Sequence, residues 1–268
     1  MKKKRLAIIG TGSIGKKIAK ELESHLKDNY KLVGMMKNTN KNIKKIQSQF
    51  HIPIVTDFLK LLSLEPDFII EAASVDVVKK YGKKILTRGI HFIPLSVGGL
   101  ANLNFYEELQ RQAKINNSIL YIPSGAIGGF DLMRKLSLAD KPEVVINTYK
   151  SPTSLKGATL PNNQEISKDQ KEIIFNGSAK EAIEYFPQNI NIAIASALAT
   201  IGPEKVKTII HSDPDIESNY HNIMVKNKEG EANISFAAQP SDNARTSSIT
   251  PWSVISLLEN IVNPVRFF

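Results

Sequence analysis

The 268-residue sequence contains no cysteine. This excludes a disulfide framework, a thiolate metal site and a cysteine nucleophile, and leaves the redox compartment open. A long apolar run is also missing, since no window approaches the roughly 18 residues of a membrane span. The opening MKKKRLAIIG has the basic start of a secretion signal. Its apolar stretch Leu6–Ile9 ends in a glycine turn, far short of the core such a signal needs. A cytoplasmic protein without a membrane partner is expected. Acidic residues are scarce in the first third, where 18 basic side chains up to Lys84 face 8 acidic ones, against 17 and 18 beyond it. That imbalance accounts for the net charge of +9. Lysine outnumbers arginine 29 to 6, the pattern of an AT-rich genome, and base readout favours bidentate arginine. With little aromatic interleaving among the lysines, no nucleic-acid partner is expected.

What is present is enough apolar residue, 42%, for a chain that buries roughly three quarters of its unfolded surface. Short apolar runs recur at Leu6–Ile9, Lys31–Met36, Ile52–Val55, Phe68–Glu71, Ile90–Leu95 and Ile119–Ile122, separated by helical spacing such as Ile14–Leu26 and Val75–Leu86. This alternation predicts βαβ units and a doubly wound parallel sheet. From Glu143 the texture changes to strands at Val144–Tyr149, Glu172–Asn176, Lys205–His211, Asn219–Lys226 and Glu231–Ala238, with helices at Ala179–Tyr185 and Ile190–Thr200. An α+β domain on an open mixed sheet is expected there. A last helical pattern, Ser253–Ile261, has an apolar face suited to packing back on the first domain. The division is therefore 1–122, 123–240 and 241–268. Pro152–Gln170 reads as a long, mobile polar loop.

Gly10-Thr11-Gly12-Ser13-Ile14-Gly15 follows the first strand and opens a helix. Gly10 permits the tight turn, Gly12 lets backbone approach a pyrophosphate, and Gly15 lets helix and strand pack closely, with the helix N-terminus adding its positive dipole end. Ser13 and Ile14 at the helix start, and Ala73 after the fourth strand, join these as cofactor contacts. No acid follows the second strand, which ends in Lys37-Asn38-Thr39-Asn40. A carboxylate there would hold a ribose 2′-hydroxyl and a basic group a 2′-phosphate, so NAD or NADP stays open, with Lys37 leaning towards NADP or dual use. Ser96–Asn102 falls at a strand end, where small residues leave room for a nicotinamide; at the next strand end the three glycines of Pro123–Asp131 imply backbone close to a ligand or a tight crossing into the second domain, and the two together favour a cofactor cleft. Asn219, His221 and Ile223 share one face of a strand by alternation. An unperturbed imidazole there titrates near neutrality and serves as acid or base. No cluster of His, Asp or Glu has metal-ligand spacing, so no metal is expected.

Taken together, the glycine loop, Glu71-Ala72-Ala73, Ser96–Asn102, Pro123–Asp131, Thr148-Tyr149-Lys150, Phe175–Ala179, Phe186–Asn191 and Asn219–Ile223 resemble the L-aspartate dehydrogenases. The resemblance implies a Rossmann domain, an α+β catalytic domain, a homodimer and NAD(P)-dependent oxidative deamination of aspartate, supplying iminoaspartate to a quinolinate-forming enzyme. It also implies His221 as the catalytic histidine and cofactor contacts at Ala126 and Asn191, with Asn189 beside them as a candidate substrate contact. An aspartate substrate would need partners for its carboxylates, for which Lys150, a surface lysine by default, and the backbone amides of the Ser124–Gly129 turn are the candidates. The sequence departs from the family in the missing acid after the second strand and in the residues following Lys150. Two other readings stand beside it. One is a dihydrodipicolinate-reductase-like or homoserine-dehydrogenase-like oxidoreductase, and the other is a dinucleotide-binding sensor or scaffold without turnover.

Overall fold

A computed structural model describes residues 2–155, 158, 160, 165–187, 190–237 and 247–267. The chain divides into two units, one of Met1–Gly99, Asn104–Pro123 and Pro251–Phe268, the other of Leu100–Leu103 and Ser124–Thr250.

The first unit is built on five parallel strands: β1 (Lys4–Ile9), β2 (Tyr30–Met36), β3 (Ile54–Val55), β4 (Phe68–Glu71) and β5 (His91–Pro94). Their order in the sheet is β3-β2-β1-β4-β5. Leu6, Ala7, Ile8 and Ile9 are all buried, as expected of a parallel strand covered on both faces. Helices α1 (Ser13–His25), α2 (Ile43–Phe50), α3 (Phe58–Leu62), α4 (Val75–Leu86) and α5 (Leu103–Ile115) connect the strands or follow them. The run Ile119–Ile122, expected as a sixth strand, is only a bridge. Phe92 donates to the Ile119 carbonyl and Tyr121 donates to that of Phe92, leaving a single Phe92–Leu120 pair. Pro123 follows and has no N–H to extend the ladder. The last helix, α9 (Thr250–Val262), begins before the expected Ser253. It buries Val254, Ile255 and Leu258 in one cluster with Leu6, Ile8, Ile18 and Phe68, and its Leu258 carbonyl accepts the Tyr30 hydroxyl at 2.9 Å.

The second unit carries a mixed sheet in the order β10-β9-β6-β8-β7, from β6 (Glu143–Lys150), β7 (Glu172–Ser178), β8 (Lys207–Ser212), β9 (Tyr220–Asn227) and β10 (Gly230–Ala237). Helices α6 (Phe130–Ala139), α7 (Ala179–Tyr185) and α8 (Asn191–Ala199) belong to the same unit. A reciprocal capping box between Ser178 and Glu181 starts α7. Alternation puts Val144, Ile146, Thr148 and Lys150 of β6 on the buried face, with Thr208, Ile210 and Ser212 of β8 and His221, Ile223 and Val225 of β9. That face runs from aliphatic at one end of β6 to polar at the other, which concentrates its chemistry at the Lys150 end. Within the Pro152–Gln170 loop, residues 156, 157, 159 and 161–164 lie outside the described set, while Leu155 and Leu160 are buried.

Candidate active site

In the first unit the glycine turn is the candidate cofactor site. Gly10 has φ +118°, and a Cβ on it would lie 2.3 Å from the Ala72 carbonyl oxygen; one on Gly15 would lie 2.2 Å from that of Gly10. Glycine is therefore required at both for the turn to sit on the strands beneath it. A Cβ on Gly12 would meet nothing within 4 Å, so this position faces open space. Gly12 is the N-cap of α1, has no capping side chain and is followed by no acid in the first turn. The first helical bond runs from Lys16 N–H to the Gly12 carbonyl. An uncapped N-terminus behind an open glycine suits a dinucleotide pyrophosphate, which the amides of Ser13, Ile14 and Gly15 would hold. Strand register places Lys37 and Ala73 at the same sheet edge, since Ile9 pairs with both Met36 and Glu71. The Lys37 ammonium donates to the Lys41 carbonyl, which holds it in the turn after β2. Gly99, expected to leave room for a nicotinamide, instead makes room for a helix, because its Cβ would come 2.7 Å from the Val78 side chain.

In the second unit the polar end of the sheet gathers Thr148, Lys150, Ser212 and His221, with Asn219 just before β9. Thr148 pairs with His221 across the antiparallel ladder, and Thr148 Oγ1 lies 3.1 Å from His221 Nδ1. Lys150 pairs with Ser212 on the other side. His221 is 4% exposed and Lys150 2%. Burial alone brings the Lys150 ammonium down to about 8, and among the described residues no carboxylate is bonded to it. The Ser212 hydroxyl and the Asn219 side-chain oxygen are buried without hydrogen-bond partners among those residues. Unmatched buried polar groups are costly, and a cation, a hydroxyl and an amide oxygen at the same end of the sheet make this corner the candidate ligand site of the second unit.

The imidazole does not titrate near neutrality as its residue type led us to expect. Burial, followed by the charge of Lys150, lowers it to about 3, so His221 is neutral at physiological pH. Alternation within the strand correctly put Asn219, His221 and Ile223 on one face, all three buried. The sequence names Thr148 only within the Thr148-Tyr149-Lys150 segment, with no role, and Ser212 not at all, because their pairing partners are distant in sequence.

The other expected contacts are distributed as follows. Ser124 and Ala126 lie in the turn before α6; Gly125 there has φ +67° and faces open space, while Gly129 packs 2.6 Å from Ile234 through its Cβ position. Asn191 is the first residue of α8. Asn189 lies outside the described residues.

Two family profiles match the chain. The family profile described as "Aspartate dehydrogenase, C-terminal" matches residues 131–261, and that of "Homoserine dehydrogenase, NAD binding domain" matches residues 10–123. The L-aspartate dehydrogenase of Methanospirillum hungatei is 34% identical over 97% of this chain and 98% of its own. That of Methanocaldococcus jannaschii is 31% identical over 98% of both. The crystal structure of aspartate dehydrogenase from Thermotoga maritima superposes with a TM-score of 0.77 at 27% identity, covering 100% of each chain. Relatives more than 30% identical over nearly the whole of both chains carry this one name, and the chain belongs to the L-aspartate dehydrogenase family.

Proposed function

We propose that this protein oxidises L-aspartate to iminoaspartate with a nicotinamide dinucleotide, water then giving oxaloacetate and ammonia. The observation that carries the reading is Lys150, a buried ammonium with no carboxylate among the described residues, beside a buried histidine. When bound, the nicotinamide ring supplies the acceptor for the α-hydrogen and its electron pair. Lys150 holds a substrate carboxylate by a charge-assisted bond. His221 Nε2 takes the proton that frees the amine lone pair, passes it to solvent, then takes the proton of the attacking water and returns it to the departing ammonia. For that role Nδ1–H donates to Thr148 Oγ1, leaving the Nε2 lone pair to accept a proton. Burial and then the Lys150 charge depress the imidazole; a carboxylate on Lys150 offsets the second of these, so arrival of substrate raises its basicity in part.

Use of NADP, or of both dinucleotides, is supported by the missing acid after β2 and by Lys37 in the adjoining turn. A homodimer, a cytoplasmic setting and hand-over of iminoaspartate to a quinolinate-forming enzyme rest on the family resemblance. The test is direct: purified protein with aspartate and either dinucleotide, and in reverse with oxaloacetate, ammonia and the reduced forms, followed by nicotinamide absorbance. No turnover in any combination removes the reading. In Lys37→Asp, kcat/KM with NADP should fall at least about tenfold, the scale of one lost charged contact, with little change for NAD. A variant that keeps its preference for NADP would take Lys37 out of cofactor choice.

A further inference from the structure

The first unit contains a fully buried carboxylate that the reaction above does not use. Glu71, the last residue of β4, is 0% exposed. Its Oε1 accepts from Ala73 N–H at 2.6 Å, Ser74 N–H at 2.8 Å and the Ser96 hydroxyl at 3.0 Å. Its Oε2 accepts from Ser96 N–H at 3.0 Å. One side chain thus ties the loop after β4 to the loop after β5. The place in the sheet is significant. With the order β3-β2-β1-β4-β5, the chain reverses direction between β1 and β4, and ligands of such sheets bind beyond the strand ends at that reversal. Ile9 and Glu71 are the last registered pair there. The next residue on each strand makes the close approach already described, Gly10 over the Ala72 carbonyl, with Ala72 N–H bonded to the Ile9 carbonyl at 2.8 Å. The glycine turn therefore rests on residue 72, while residues 73, 74 and 96 hang from the carboxylate of residue 71.

We propose that Glu71 is the positioning residue of the dinucleotide crevice: its carboxylate fixes the loops after β4 and β5 at the spacing that lets the glycine turn and the cofactor lie against them. An ordinary core position would be filled by an apolar side chain at lower cost. Burial pushes the Glu71 carboxyl up, and the amides of Ala73 and Ser96 pull it back without fully offsetting this. A carboxylate kept despite that cost is matched to three backbone N–H donors that no neutral side chain accepts equally well. The inference rests on the nicotinamide reading, so the experiment separates the two.

Dissociation constants for NAD and NADP are measured by titration calorimetry on the parent, Glu71→Gln and Ser96→Ala, well below each melting temperature. In Glu71→Gln the amide nitrogen faces an N–H donor, so one of the two loops is released. The better-bound dinucleotide is expected to weaken at least about tenfold, as for loss of a charged hydrogen bond. Ser96→Ala deletes one hydroxyl contact, leaves the backbone N–H bond, and should weaken binding about threefold. A merely structural role would lower the melting temperature and leave both dissociation constants within about twofold of the parent, which overturns the proposal; should Glu71→Gln not fold, Ser96→Ala decides alone by the same criterion. A parent that binds neither dinucleotide overturns the nicotinamide reading and this inference together.

Discussion

Lys150→Met is expected to raise the KM for aspartate by about 100-fold or more and, at the same time, to raise the melting temperature. The two effects have one cause. Lys150 is an ammonium held 2% exposed at the end of β6 without a carboxylate among the described residues, and it is lowered to about 8 by burial alone. In the unfolded chain the same group binds its proton up to about 10.4. Between these values the unfolded state carries more protons, so stability rises with pH across the window from about 8 to 10.4. Below it the full cost is present, on the order of 3 kcal/mol for a shift of this size. Methionine fills similar space without that cost. The gain in melting temperature at pH 7, several degrees for a chain of this length, should shrink as the pH approaches 10. The loss in KM follows because a buried carboxylate without its cation is worth about 3 to 5 kcal/mol less. Succinate, a dicarboxylate with no amine to titrate, gives the complementary check on the parent: its inhibition constant should rise above about pH 8 as Lys150 discharges. A less stable variant at pH 7 would mean that Lys150 already has its partner, and an unchanged KM would mean that it does not hold the substrate.

How far the sequence reveals this site depends on the range of the interactions. The glycine loop is local, since the needs of Gly10, Gly12 and Gly15 arise within one strand–turn–helix, and the structure meets them with Cβ positions that are blocked at two and open at one. The face shared by Asn219, His221 and Ile223 is likewise legible from a period of two. What pattern cannot supply is the partner across the sheet. Thr148 and His221 are 73 residues apart, and Ser96 meets Glu71 from 25 residues away. Titration is still less legible, because burial acts through the whole fold. Imidazole chemistry by residue type gives a near-neutral group, and the environment of β9 gives one at about 3. The isolated run Ile119–Ile122 erred in the same way: its β character is local, but whether a neighbour lends it a full ladder is not. Gly99 is the reverse case, a small residue at a strand end whose space is filled by Val78 of α4 and not by a ligand.

His221→Ala should lower kcat by 100-fold to 10,000-fold, the usual worth of a positioned general acid–base group, while the dissociation constant of the dinucleotide stays within about twofold. The separation is expected because the dinucleotide turn lies in the first unit and His221 in the second. The depressed imidazole predicts more than the loss itself. If the depression to about 3 comes from burial and then from Lys150, removing the cation should let the imidazole titrate higher. By NMR, the His221 ring in Lys150→Met should therefore protonate at a higher pH than in the parent. In the parent, adding succinate should move the same titration in the same direction, because a carboxylate on Lys150 cancels much of its field. The sign is fixed by electrostatics: a cation nearby disfavours imidazolium, and its removal or neutralisation favours it. A ring that titrates near 6.5 in the empty parent would show that His221 is far more hydrated than its 4% exposure implies. A ring unmoved by either change would show that Lys150 does not act on it, and the substrate-triggered base would have to be abandoned even if His221→Ala were inactive. Unchanged kcat in His221→Ala would clear the histidine of the chemical step and leave Thr148, Ser212 and Asn219 as the polar groups of that corner from which a base-free mechanism would have to be built.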